Sequence, residues 1–445
     1  MYQLLRQQQV VHGETSRAAC RVEQFLGGGG QGEVYKVNIG GSTMALKWYF
    51  PHVATPEQRK SLEVLVVKGP PNNSFLWPME MVSDRKVPGY GYVMPLRDAR
   101  FKGIIDLMKG SAKGITYRAL ATAGYQLVEN YYQLHCMGLC YRDINFGNVF
   151  FDPATGDVRI CDNDNVCVNN DKEAALSVLG TPRFMAPEIV RGEALPSTDT
   201  DRYSLAVLLF YIFMVSDPLA GKRESSIKAF DDKAMRKLYG ADPLFIFDPD
   251  DHSNEPDPLH HKNAMAYWPL YPQFLRDLFI QSFTKGLRDP QNGRVTENPW
   301  RAALVKLRDS IYYCRTCREE VFYDPAAIKA AGGKPDKCWS CGKELSLPFR
   351  MRIVGQETMI MLNLETKLYP HHLDSNRQYD FSQPLAEVIT HPKDPSIQGL
   401  RNLSTKKWNM TNANKEVRDV EPGRSVTIAS GTKISFGNIE GEFRL

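Results

Sequence analysis

Tyr141-Arg-Asp-Ile-Asn-Phe-Gly-Asn148 is the stretch on which the reading of this chain turns. It sets a carboxylate, Asp143, and a carboxamide, Asn148, five residues apart on one tight loop. Groups so placed can divide two tasks. Asp143 can orient an incoming hydroxyl and accept its proton, while the Asn148 side-chain oxygen can serve Mg²⁺, a cation that prefers oxygen ligands. Fourteen residues later, Val158-Arg-Ile-Cys-Asp162 predicts a strand ending in a second carboxylate, and Asp162 is then placed to bridge Mg²⁺ to the phosphates of ATP.

Upstream lies Gly27-Gly-Gly-Gly-Gln-Gly-Glu-Val34, which contains the spacing G-x-G-x-x-G-x-V at Gly27, Gly29, Gly32 and Val34. Glycines let backbone N–H groups approach phosphates with no Cβ in the way, although a hairpin turn is the plainer use of such a run. On the next predicted strand, Met44-Ala45-Leu46-Lys47 sets a lysine among apolar residues, where it needs an anionic partner. A helix is expected from Thr55 to about Lys68, with Thr55 as N-cap, Pro56 in the first turn and Gly69 as the stop. Glu63 lies mid-helix among Leu62, Val64 and Leu65 and is taken as the carboxylate that fixes Lys47, with Glu57 as the competing candidate.

In this order the motifs resemble the protein kinase superfamily over about residues 20 to 310. The most specific of them is Gly180-Thr-Pro-Arg-Phe-Met-Ala-Pro-Glu188. The resemblance implies a bilobal α+β fold, with an N-lobe over about 18–95 and a C-lobe over about 96–310. It implies that Thr181 supports Asp143, that Glu188 pairs with a distant arginine (Arg294 is the candidate), and that Asp201 anchors the catalytic loop. The hinge would fall at Met94-Pro95-Leu96, so that Val34, Ala45, Met94 and Leu96 line the adenine. Transfer of the ATP γ-phosphoryl group to serine or threonine is expected, with Mg²⁺ (or Mn²⁺) on Asn148 and Asp162.

Two departures from the family pattern bear on that chemistry. Where the family has Asp-Phe-Gly, this chain has Asp162-Asn163-Asp164, which keeps the metal ligand but replaces the apolar residue and the flexible glycine. Asn145 stands where Ser/Thr kinases carry a lysine against the transferred group. Losing one such contact costs roughly 3 kcal/mol, about 100-fold in rate, although Asn145 still donates a hydrogen bond. Ser177, eleven residues before Glu188, is expected as an activation-loop phosphosite, with Arg142 to pair its phosphate. A kinase-shaped scaffold acting through its C-terminal domains is the alternative reading.

Cys314-Arg-Thr-Cys317 and Cys338-Trp-Ser-Cys341 form two C-x₂-C knuckles separated by twenty residues, the spacing of a structural tetrahedral Zn²⁺ site. Four thiolates leave no open coordination position, so residues 311–346 read as a zinc ribbon. The mixed charge of its flanks argues against nucleic acid. Residues 347–445 alternate short apolar runs with turn signals, for example at Pro422-Gly423 and Gly437-Asn438, and predict a β-sandwich or barrel, of which the sandwich is taken. Gly399-Leu-Arg-Asn402, Trp408 and Val420-Glu-Pro-Gly-Arg-Ser-Val426 weakly resemble a forkhead-associated (FHA) domain, with Arg401 and Asn402 as phosphopeptide candidates.

Composition bounds the rest. Of 445 residues 42% are hydrophobic and 24% charged, which fits packed domains and excludes wholesale disorder. A net charge of +4 is too small to argue for nucleic acid or an anionic membrane. The apolar run Tyr203–Val215 is shorter than the roughly 20 residues of a membrane span and is expected as a buried helix. The nine cysteines show no disulfide framework, so a reducing, cytoplasmic setting is expected. Kinases with an appended zinc ribbon resemble bacterial enzymes encoded beside a PP2C-type phosphatase and a von Willebrand A-domain protein, which would be partners alongside the protein substrate.

Overall fold

The computed structural model describes residues 3–171 and 178–445, in two compact units. The first comprises residues 1–268 and 276–302, and the second 269–275 and 303–445. The ribbon and sandwich regions, expected as separate domains, therefore fall within one unit.

The first unit opens with six antiparallel strands closed into a barrel. They are β1 (Val10–Gly13), β2 (Ala19–Gly28), β3 (Gly32–Ile39), β4 (Ser42–Tyr49), β5 (Glu80–Asp84) and β6 (Val87–Pro95), in the order β1-β2-β3-β4-β6-β5 with β5 returning to β1. Side chains alternate across a strand, and β4 shows the consequence. Leu46 and Trp48 enter the barrel core with Val11, Cys20, Val22, Tyr35 and Val37. Ala45, Lys47 and Tyr49 therefore point to the opposite face. There Ala45 and Tyr49 pack with Tyr92, Met94 and Leu62.

Helix α1 (Pro56–Lys68) covers that second face. Thr55 caps it by accepting the Gln58 amide at 3.2 Å, and Gly69 ends it at φ 73°. Leu62 and Leu65 are its buried residues.

Within the first unit, residues from Tyr117 onward are mainly helical. The apolar run folds as helix Thr198–Met214, buried along nearly its whole length and capped by Ser197, which accepts the Thr200 amide. The acidic segment 242–269 is anchored by aromatics. Phe247 stacks on Trp268 with centroids 4.3 Å apart, and Phe245 packs edge-on against Phe210. Its Asp248 carboxylate accepts the amides of Asp250 and Asp251 within a local turn.

In the second unit a hairpin (Ile311–Tyr313 with Glu320–Phe322) precedes two antiparallel sheets. The larger has six strands, with Arg350–Ile353 and Glu440–Arg444 near its centre, and the smaller has four, with Ala386–His391 paired to Asp394–Asn402. Met351, Ile434 and Phe443 from the first share a core with Leu368, Val388 and Leu400 from the second, as a sandwich requires. Among the described residues no helix is long and apolar enough to cross a membrane.

Candidate active site and four-cysteine cluster

Two short antiparallel pairs set the geometry of the loop at residues 141–148. Val149–Phe151 pairs with Val158–Ile160, and the Cys161 amide donates to the Asn148 carbonyl at 2.8 Å, so Asn148 and Asp162 sit at adjoining strand ends. Leu139–Cys140 pairs with Cys167–Val168 on the other side. Between these clamps Asp201 accepts the backbone amides of Tyr141 at 2.6 Å and Arg142 at 3.0 Å. His135 bridges Asp201 and Glu297 at 3.1 and 2.7 Å. Burial pushes the His135 pKa down, but its hydrogen bonds and charge pairs with the two carboxylates outweigh this and raise it to about 9.

Asp143 is held from three sides. The Thr181 hydroxyl donates to it at 2.7 Å, and the Asn148 amide nitrogen donates to its carbonyl at 3.0 Å and lies 3.4 Å from its carboxylate. Asn145 donates to the Thr181 oxygen and to the Asp143 carbonyl, both at 3.0 Å. The residue that departs from the family pattern thus orients Thr181. The nitrogen of Asn148 is engaged with Asp143, which leaves its oxygen as the group for a cation.

Across the cleft, β3 and β4 set Val34 opposite Lys47. The Lys47 ammonium lies 3.0 Å from the Gln31 amide oxygen and 3.5 Å from Asp162. Asp162 has a left-handed backbone (φ 47°, ψ 43°) and a half-exposed side chain. Burial raises its pKa, Lys47 opposes the rise, and the Asp164 and Asp143 charges add to it. A site where carboxylates repel in this way is relieved by a bound cation, so the donor set fits Mg²⁺. Of the loop glycines, a Cβ at Gly27 or Gly29 would meet nothing within 4 Å, whereas at Gly32 it would strike the Trp48 carbonyl at 2.2 Å. Val34, Ala45, Met94 and Leu96 gather in one apolar cluster, with Ala45 paired to Met94 across β4 and β6.

Glu63 does not reach Lys47. It is exposed and bonds Arg59 at 2.9 Å along the outer face of α1. The inner face presents Leu62 and Leu65, which leaves no carboxylate of the helix at the cleft. Glu57 is exposed too. The close carboxylate partner of Lys47 is Asp164, at 2.7 Å. Gln31, Tyr49, Asp164 and His135 were missed by sequence reasoning. Tyr49, two residues after Lys47 and so on the same strand face, was within its reach.

Further along, Glu188 pairs with Arg294 at 2.8 Å. Arg183 ties the same segment to Glu224 at 2.7 Å. Arg142 is buried and donates to the Asn165 carbonyl. Ser177 lies outside the described residues.

A model of the protein kinase domain family matches residues 20–262, more than half of the chain. The chain belongs to the protein kinase domain family. Among curated kinases, ribosomal protein S6 kinase alpha-4 of Mus musculus is 30% identical over 124 residues, 27% of this chain and 16% of the relative. Protein kinase MCK1 of Saccharomyces cerevisiae is 30% identical over 130 residues, 28% of this chain and 32% of the relative. The DNA damage-responsive serine/threonine-protein kinase RqkA of Deinococcus radiodurans is 26% identical over 213 residues, 46% of this chain and 31% of the relative. The chain thus spans less than a third of each of these relatives.

In the second unit, the sulfurs of Cys314, Cys317, Cys338 and Cys341 all lie within 4.8 Å of one another. Cys314 and Cys341 are 3.8 Å apart, and Cys317 and Cys338 are 3.6 Å apart. A tetrahedral Zn–S₄ centre with bonds of about 2.3 Å has edges of about 3.8 Å, so the donor set fits Zn²⁺. The knuckles share one design. The Arg318 amide returns to the Cys314 carbonyl at 2.9 Å and the Gly342 amide to Cys338 at 2.8 Å, with φ 66° and 67° at the two donors. In the sandwich, Asn402 is fully buried. Its amide donates to the carbonyls of Lys406 and Val420, and its oxygen accepts from Ser404, so it holds a turn rather than offering itself to a peptide. Arg401 pairs with Glu387.

Proposed function

We propose that this chain is an ATP- and Mg²⁺-dependent protein kinase that transfers the γ-phosphoryl group to serine or threonine hydroxyls of protein substrates, its own chain included. The observation that carries the reading is the meeting of Asp143, Thr181, Asn148, Asp162 and Lys47 in one cleft, with Thr181 2.7 Å from Asp143 and Lys47 3.5 Å from Asp162. Asp143 orients the acceptor hydroxyl and takes its proton as the oxygen attacks the γ-phosphorus and the bond to the β-phosphate bridging oxygen breaks. Lys47 and the loop at Gly27, Gly29 and Gly32 hold the phosphates. Mg²⁺, when held by the Asn148 oxygen and Asp162, neutralises charge on the phosphate oxygens. Phosphorylation of Ser177 is part of the proposal. Arg142, which spends its guanidinium on Asn165, is the residue that such a phosphate would have to recruit.

Transfer of radiolabelled phosphate from γ-labelled ATP to the chain itself and to a mixed Ser/Thr peptide library is the test, with Asp143→Ala alongside. Label on serine or threonine that the variant lacks supports the reading. Nucleotide binding with no label from the wild type would favour the scaffold alternative.

The four cysteines are proposed to hold a structural Zn²⁺. One zinc per chain by elemental analysis is the expected result, and a metal-free protein with nine titratable thiols would remove the site. The FHA resemblance rests on sequence motifs, and with Arg401 paired to Glu387 and the Asn402 amide engaged by the Lys406 and Val420 carbonyls a docking surface is a better reading of the sandwich than a phosphopeptide site. A PP2C-type phosphatase and a von Willebrand A-domain protein stand as proposed partners on the sequence resemblance.

A further inference from the structure

Asp164 is the third residue of Asp162-Asn163-Asp164 and lies in a single 3-10 turn, Asn163–Asn165. Its side chain is fully buried. A carboxylate in that situation persists only with strong partners, and it has three. It accepts the Lys47 ammonium at 2.7 Å, the Tyr49 hydroxyl at 2.5 Å and the Tyr92 hydroxyl at 3.0 Å. Two of the donors stand on β4 and one on β6.

We propose that Asp164 is the positioning residue of Lys47, supplying from the turn after the metal aspartate the carboxylate that α1 does not bring to the cleft. The proposal rests on the kinase reading and deepens it. Lys47 is then oriented by a group that travels with Asp162. Helix α1, whose Glu63 pairs outward with Arg59, brings no carboxylate to it. The helix keeps one indirect link, Gln58, whose amide lies 3.4 Å from the Tyr49 hydroxyl.

The test uses the full chain and two readouts, steady-state transfer and equilibrium binding of a fluorescent ATP analogue. Asp164→Asn keeps the shape and removes the charge. Its kcat/KM for ATP should fall roughly 100-fold, the size typical of one lost charge-positioning contact, with the KM for the acceptor peptide little changed. Combining it with Gln58→Glu, which returns a carboxylate beside Tyr49, should recover part of the loss. A purely structural defect would not respond to that second change. Tyr92→Phe, which keeps the fold safer, should show a smaller loss of the same kind.

A fall in Glu63→Gln as deep as in Asp164→Asn would return the role to the helix and overturn the proposal. So would a rise in the Mg²⁺ requirement of Asp164→Asn with ATP affinity intact, because Asp164 would then be a metal ligand. Analogue binding by the wild type without transfer would remove the kinase reading, yet leave Asp164 to be judged by binding alone. No binding by the wild type would end both.

Discussion

The cleft of the first unit and the cysteine cluster of the second are both built from ligand-bearing side chains, but by opposite routes. The cluster uses two knuckles, each closed by one local backbone bond, Arg318 to Cys314 and Gly342 to Cys338. The cleft draws on Gln31, Lys47, Asp143, Asp162, Asp164 and Thr181, and the bond from Lys47 to Asp164 spans 117 positions. A local motif specifies its own geometry. A dispersed one depends on strand register and on which face a helix presents, and small changes there reassign partners without disturbing the fold.

The sharpest way to break the comparison is at the residue that the dispersed site cannot replace. Asp143→Ala should lower phosphoryl transfer by roughly 10³-fold, within the range for a lost general base, while thermal unfolding stays near wild type. Activity that survived would mean that the chemistry does not converge on Asp143. In the local site the effect should be reversed in kind. Cys338→Ser should abolish zinc retention, read by elemental analysis after dialysis, and destabilise the second unit, because metal binding is coupled to the folding of such knuckles. Transfer by the first unit, which contains every residue assigned to it, should continue.

A smaller effect tests the departure at Asn145. Its amide holds Thr181 and the Asp143 carbonyl at 3.0 Å each, so Asn145→Ala should cost about fivefold in kcat, with ATP affinity retained, as expected when a neutral hydrogen bond of about 1 kcal/mol is lost from a catalytic network. A variant at wild-type rate would mean that Thr181 is set by other contacts.

His135 adds a pH dependence to the loop that carries Asp143. Its folded pKa is raised to about 9 from an ordinary value near 6.5. A raised value means that the folded state binds the proton more tightly. The resulting stabilisation, of order a few kcal/mol, is complete below about pH 6.5 and is lost as pH climbs through 9. Denaturant midpoints of wild type should therefore decline between pH 7 and 9.5 more steeply than those of His135→Gln. Parallel curves would show that His135 is neutral when folded.

Much of the fold was legible because it rests on short-range chemistry. Thr55, Pro56 and Gly69 mark the ends of α1 to the residue. The turn glycines Gly423, Gly431 and Gly437 all take the positive φ that glycine permits, and strands Ser425–Thr427 and Lys433–Ser435 fall between them. Strand β1 was missed because Val10–Gly13 is short and owes its place to pairing with both β2 and β5. Phe245, Phe247 and Trp268 were hidden in an acidic stretch whose charges suggested solvent. Glu63 was misassigned for a geometric reason. Sequence places it on the helix but not on a face, and the inner face went to Leu62 and Leu65. The Asp164 anchor could not be seen at all without the register that sets Tyr92 of β6 opposite Lys47 of β4.

The smallest expected effect sharpens that last point. Glu63 is half-exposed and pairs with Arg59 one turn earlier on the same helix. Exposed pairs of this spacing contribute about 0.3–0.5 kcal/mol and are screened by salt. Glu63→Gln should thus shift the denaturant midpoint barely beyond error at low ionic strength and not at all in 0.5 M salt, where the Debye length falls to about 4 Å. Arg59 also pairs with Glu14, so it keeps a partner when Glu63 is neutralised. A loss of several kcal/mol would contradict the outward orientation of the carboxylate and place it instead among groups that burial makes costly to leave unpaired.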